Sequence, residues 1–233
     1  MNTHRNQGVV STLSKISHKS LKQTVVDQVY AAIERGELKA GERVTELGLA
    51  SLLGVSQPTI REALIELEKQ GFIERGYPRK TFITTLTHRD IAEIYRVRGS
   101  LETLAVRLLI ERNVKDVRDS KRAYGTMVQC VQDENMLGFL HADLDFHRGL
   151  WSATDNRHLF GALELLVPKL LAFGVIQHAR PSNERLMEVA EMHGQLLRFI
   201  CDGRELDAVV LMETSLNQAW ADDSQLPEET CRK

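Results

Sequence analysis

Cysteine is scarce in this 233-residue chain, and the three that occur, Cys130, Cys201 and Cys231, stand far apart with no Cys-x-x-Cys pair among them. That excludes a disulfide framework and a cysteine zinc site, and leaves free thiols as the reading. Long apolar runs are missing too. None approaches the roughly 18 residues that cross a bilayer, and the N-terminus has no apolar signal-peptide core, so a cytoplasmic protein with no membrane partner is expected. Positive charge is not in excess: 30 Lys+Arg against 32 Asp+Glu leave a net −2, which excludes a uniformly basic nucleic-acid coat. There is no internal repeat and no low-complexity tract. What is present is 42% hydrophobic residues, enough for two small domains with a real core.

The charge is divided unevenly. Residues 1–86 hold 12 Lys+Arg against 9 Asp+Glu, net +3, and the remainder holds 18 against 23, net −5. That sign suits a DNA-reading head on an acidic body. The expected layout is a flexible arm over 1–19, a head over 20–86, a helical domain over 87–222 and a disordered acidic tail over 223–233. The joint falls at Thr85-Leu86-Thr87, where strand-like residues give way to Thr87-x-x-Asp90, a helix start of the capping-box kind.

Within the head, Leu21, Val25, Val26, Val29 and Ile33 recur at helical spacing up to Gly36, a left-handed stop. After the turn Lys39 to Glu42, Thr45 caps a short helix with Leu49, Leu52 and Leu53 as its apolar set, which Gly54 ends. Ser56 caps the next helix, Pro58 is tolerated in its first turn, and Ile60, Ala63, Leu64 and Leu67 face inward. Gln57, Thr59 and Arg61 are therefore left outward. A break this short lets the second helix lie in a major groove while the first crosses the backbone. The bland alternative for Arg61 is an ion pair with Glu62 or Glu66. Phe72 to Arg75 and Thr81 to Thr84 read as two strands around a tip that carries Arg79 and Lys80, cations able to reach phosphates or a minor groove.

Three segments in order, Gly41 to Glu46 (which includes Arg43), Gly54 to Leu64 and Leu67 to Ile73, resemble the N-terminal domain of GntR-type bacterial transcription regulators. The resemblance implies a winged helix-turn-helix that binds double-stranded operator DNA through Arg43, Ser56, Gln57, Thr59, Arg61, Arg79 and Lys80. This chain departs from the family at Gln57, where Arg is common, and at Pro58-Thr59, which transposes the usual Thr-Pro. Base preference does not carry over.

From Thr87 on, every strong pattern is helical. One stripe runs Ile91, Ile94, Tyr95, Arg98, Leu101, Ala105, Leu108, so a guanidinium interrupts an apolar face. It needs a partner there. Glu102, one turn on, supplies an internal ion pair; a carboxylate ligand is the alternative. A later face reads Met136, Leu140, Asp143, His147, Leu150, with carboxylate and imidazole on adjacent rungs that can share a metal; a salt-bridged core histidine is the commoner use of such a pair. The stripe Leu186, Val189, Ala190, His193, Leu196, Leu197, Ile200 has one imidazole at its centre, and Ala208, Leu211, Met212, Ser215, Ala219 has one hydroxyl. Polar groups converging from four inward faces suggest a cavity for a polar ligand.

Tyr95 to Glu102, Asp143 to His147, Asp155-Asn156-x-x-Leu159 and Glu191-Met192-His193 resemble the all-helical FCD effector domain of the FadR subfamily. The implied fold is mainly α: a winged helix-turn-helix followed by an all-α antiparallel bundle that dimerises. By the same resemblance Asp143, His147 and His193 hold a divalent ion (Zn, Ni or Mn), and a small carboxylate effector completes the shell beside Arg98, Asn156 and Ser215. Ser215 stands where the family has a fourth ligand, His; a hydroxyl holds zinc or nickel poorly. The expectation is a ligand-responsive repressor and homodimer. The runner-up is the same regulator without metal, taking a bulky acyl or aromatic effector. A metal-dependent hydrolase is the remote alternative: no general base stands beside the ligands, since Asp145 points off the stripe.

Overall fold

The computed structural model describes residues 20–76, 80–176 and 181–223. The expected arm, the hairpin tip with Arg79 and the residues after 223 lie outside the described residues. Helix α1 spans Leu21–Glu34 and is capped by Ser20, whose hydroxyl accepts from the Gln23 amide. A two-residue strand β1, Arg43–Val44, leads to α2, Glu46–Leu53, which Thr45 opens and Gly54 closes at φ 65°. Helix α3, Gln57–Lys69, starts at the Ser56 cap with Pro58 in its first turn and buries Ile60, Ala63, Leu64 and Leu67, the expected face. Strands β2, Ile73–Gly76, and β3, Lys80–Ile83, pair antiparallel.

β1 adds a third strand on the far edge of β3, with Arg43 opposite Phe82 and Val44 opposite Thr81. The sequence reading missed it, because two residues carry no alternation. The head core is α1 against α3 and the sheet, with Ile33, Ile60, Leu67, Ile73 and Ile83 fully buried. Each contributes about 1.5–3 kcal/mol from its transfer out of water.

Six helices follow: α4 His88–Glu111, α5 Arg118–Gln132, α6 Met136–Ala153, α7 Arg157–Ile176, α8 Asn183–Asp202 and α9 Glu205–Asp223. The start of α4 is a full capping box, Thr87 and Asp90 each accepting from the other's amide. After Arg98 the buried face of α4 is shifted from the expected stripe: Ala105 is buried as expected, and Glu102, Val106 and Leu109 are fully buried, whereas Leu101 and Leu108 only flank the core.

α7 corrects the reading of hydropathy. By length and composition alone it could cross a membrane, although half of that stretch is buried inside the fold. Glu164, Pro168 and Lys169 interrupt the run and hid it. The packing accounts for apolar character all round, because α7 serves two cores. Leu163, Val167, Leu170 and Phe173 enter the bundle core, while Ala172, Val175 and Ile176 join the core of the head. Gly71, at φ 82°, brings its backbone so close to Pro168 that an added Cβ would lie 2.2 Å from that carbonyl oxygen. The head is thereby seated on α7.

Candidate functional site

Inside the bundle, α4, α6, α7, α8 and α9 surround a cavity of about 570 Å³, within the range of small-molecule sites. Four of its polar groups form one cluster. Arg98 comes from α4, Asp143 and His147 from successive turns of α6, and His193 from α8; all are at least nine-tenths buried. Apolar neighbours at i±3 and i±4 hold each of these helices in the core and so force the polar residues inward.

The histidine orientations define the site. His193 Nδ1 lies 2.7 Å from the Val189 carbonyl oxygen. A carbonyl cannot donate, so Nδ1 carries the hydrogen and Nε2 faces the cavity. That Nε2 is 3.0 Å from Asp143 Oδ1 and 3.3 Å from His147 Nε2. His147 Nδ1 in turn stands 3.1 Å from Glu102 Oε1 without the alignment of a full hydrogen bond. Both rings therefore bring Nε2 to one place, where His193 Nε2 meets Asp143. One ligand atom from each of Asp143, His147 and His193 falls within 4.8 Å of the other two. Two imidazole nitrogens and a carboxylate oxygen suit zinc, nickel or manganese, and the acceptor behind each ring is the support that ligating histidines have.

Arg98 Nε donates to Glu102 Oε1 at 3.3 Å, and its Nη2 lies 3.3 Å from His147 Nε2. Trp151 Nε1 donates to the second oxygen of Glu102 at 2.9 Å. The internal ion pair considered for Arg98 is thus present, and Glu102 also supports His147. Burial pushes the Glu102 carboxyl up, but His147, Arg98 and Trp151 outweigh it and hold it at about 2. Asp143 is likewise held at about 2, burial being overcome by His193, His147 and Arg98. For His193, burial works against protonation, yet the Asp143 carboxylate and the Val189 carbonyl raise its pKa overall.

Two expected effector residues sit differently. Ser215 lines the cavity, but its hydroxyl donates to the Leu211 carbonyl at 2.7 Å, one turn back in its own helix. Asn156 starts α7: its side-chain oxygen accepts from the amides of His158 and Leu159, and it is not among the cavity-lining residues. The sequence reading passed over Arg185 and Gly174, both of which line the cavity. Arg185 had a signal, since it precedes Val189 and His193 at intervals of four. Gly174 had none.

On the head, Gln57 and Arg61 are exposed along α3, and Arg43 and Lys80 are exposed on the sheet. Ser56 and Thr59 share a 2.8 Å hydroxyl contact at the start of α3. The Arg61 guanidinium is paired with neither Glu62 nor Glu66. It forks onto Glu46 of α2, with Nη2 to Oε2 at 2.8 Å and Nε at 3.2 Å, because α2 crosses the N-terminal half of α3 and brings Glu46 within reach.

A winged helix-turn-helix on a helical bundle with a buried, partly charged cavity is the architecture of a ligand-responsive DNA-binding protein. Residues 21–83 match the family model of bacterial regulatory proteins of the gntR family, and residues 93–218 match the FCD domain. The chain belongs to the GntR family of transcription regulators with an FCD effector domain, and is a regulator rather than an enzyme. It is 28% identical over 209 residues to the probable D-xylose utilization operon transcriptional repressor of Paenarthrobacter nicotinovorans, covering 88% of each chain. It is 33% identical over 146 residues to the HTH-type transcriptional regulator YdhC of Bacillus subtilis, spanning 59% of this chain and 62% of that protein. The solved structure of E. coli McbR/YncC superposes with a TM-score of 0.66 at 21% identity, covering 89% of this chain and 99% of that one, a likeness of fold.

Proposed function

We propose that this regulator is a cytoplasmic homodimeric repressor whose bundle binds a divalent ion through Asp143, His147 and His193 and releases operator DNA when a carboxylate effector joins them. The observation that carries the reading is the tautomer fixed by Val189 on His193, together with Glu102 behind His147: the two Nε2 atoms converge, and that of His193 meets Asp143. A bound ion would supply positive charge for the effector carboxylate. Arg98, whose Nη2 reaches the same place, adds a second donor for it. Repression is the mode printed in the name of the Paenarthrobacter relative. In the head, Arg61, Gln57 and the Ser56–Thr59 pair would meet bases and phosphates, with Arg43 and Lys80 on the backbone.

Regulation requires the ligand to distinguish two placements of the heads. Support for that comes from Leu140 and Val175, which line the cavity and also pack in the core of the head. A change of cavity contents presses directly on the seat of the DNA-binding domain. The test is a mobility-shift titration with metal-loaded protein, the operator being selected from random duplexes, against a panel of small carboxylates. An effector that releases DNA from wild type but not from Arg98→Ala supports the reading. Release unaffected by Arg98→Ala, Asp143→Ala and His193→Ala contradicts it.

A further inference from the structure

Helix α2 carries two large apolar side chains that its own packing leaves out. Leu49 is buried, and Ala50 and Leu53 pack against the head core, but Leu47 is 67% exposed and Leu52, expected inward, is 79% exposed. Single exposed leucines are ordinary on a protein surface and need no explanation of their own. What distinguishes Leu47 is where it stands.

Glu46, the first residue of α2, receives the Arg61 guanidinium of α3 at 2.8–3.2 Å. The first turn of α2 therefore borders the outward side of the helix assigned to the major groove. Leu47 follows Glu46 on that turn, about 100° further round the helix and about 160° from the buried Leu49, so its side chain leaves the core. Leu52 lies in the last turn, about 140° round the helix from Leu47, and the two do not form one patch.

The rest of this surface is polar. Gln57 and Arg61 are exposed, and the Ser56 and Thr59 hydroxyls meet at 2.8 Å at the start of α3. Such groups suit phosphates and the hydrogen-bonding edges of bases, but they leave one feature of the major groove without a match: the C5-methyl group of thymine, which is read by apolar contact. We propose that Leu47 is a specificity-determining residue that packs against the methyl group of an operator thymine next to the bases met by α3. This rests on the reading of α3 as the helix in the major groove, and adds a base to what the head selects.

Operator duplexes selected from random sequence with the full-length protein test it, each thymine of the half-site being replaced in turn by deoxyuridine, which lacks only the methyl group. At one thymine, wild type should bind the deoxyuridine duplex about fourfold more weakly, the worth of one buried methyl group. Leu47→Ala should weaken binding to the thymine duplex by at least as much, and should no longer distinguish the two duplexes. Leu47→Met, apolar and of similar volume, should keep the discrimination. Thermal melting should be the same for all three proteins, because the side chain lies outside the core. Half-sites without thymine, indifference of wild type to every replacement, or discrimination that survives in Leu47→Ala overturns the proposal, and α3 keeps its place in the groove as long as Arg61→Ala weakens binding. If Arg61→Ala leaves binding unchanged as well, the reading of α3 falls with it.

Discussion

Glu102 and Trp151 meet 2.9 Å apart behind Arg98 and His147, the indole N–H donating to a carboxylate that is fully buried. Through its other oxygen the same carboxylate faces Arg98 and His147. One residue thus anchors three side chains, two of which reach the cavity.

Glu102→Ala should therefore be severe. It leaves the Arg98 guanidinium buried without its carboxylate, and breaking a buried pair this way costs about 3–5 kcal/mol. Glu102→Gln keeps an acceptor for Trp151 and should cost less. Urea unfolding of the two variants checks the order.

Acid should destabilise the metal-free protein for the same reason. The folded-state pKa values of Glu102 and Asp143, both about 2, lie below the ordinary 4.5 and 3.8. Groups depressed in this way contribute stability that is present above their unfolded values and is lost as pH falls through their folded values. The expected loss runs from near pH 4.5 downward, and Glu102→Gln should flatten it. A melting-temperature profile against pH reads this directly.

Arg61 gives a prediction about DNA with a built-in control. Its pair with Glu46 is exposed, the kind worth at most about 1 kcal/mol, so Arg61→Ala should leave the fold intact. If Arg61 reaches a base edge, its loss costs about 1–3 kcal/mol of binding, at least several-fold. Glu46→Ala frees the guanidinium and should not weaken binding. Mobility-shift titration of both variants decides, and equal weakening by both would mean that the pair only positions α2 against α3.

Gly71→Ala should loosen the seat of the head. The residue combines φ 82° with the Pro168 carbonyl 2.2 Å from the added Cβ. The left-handed backbone alone costs about 1–2 kcal/mol, and the collision adds to it. Faster proteolysis between head and bundle, together with an operator affinity that no longer responds to effector, is the expected outcome.

What the sequence disclosed, and what it did not, follows one rule. Polar residues that break an apolar stripe were legible: Arg98, Asp143, His147 and His193 were found because each helix had a clear inward face, and the fold brings them together. Caps were legible as well, since Ser56, Thr87 and Gly54 act on neighbours within a few residues. Relations across space were not. Glu46 meets Arg61 through a helix crossing, Asn156 is occupied by its own helix start, and β1 exists only because β3 has a free edge. The double duty of α7 was hidden because service to two cores erases the period that marks a helix with one buried face.

Metal binding by chelator-stripped, full-length protein tests the account most directly. Isothermal calorimetry with zinc, nickel and manganese should show one ion per chain, with uptake weakened at least tenfold in Asp143→Ala and His193→Ala. The raised pKa of His193 means that a proton competes for Nε2, so affinity should fall as pH is lowered through the histidine range. Ser215→His should tighten binding by offering a third imidazole. If wild type takes up none of the three ions at micromolar concentration while Ser215→His does, the three-ligand site does not hold metal in this protein, and the central claim fails.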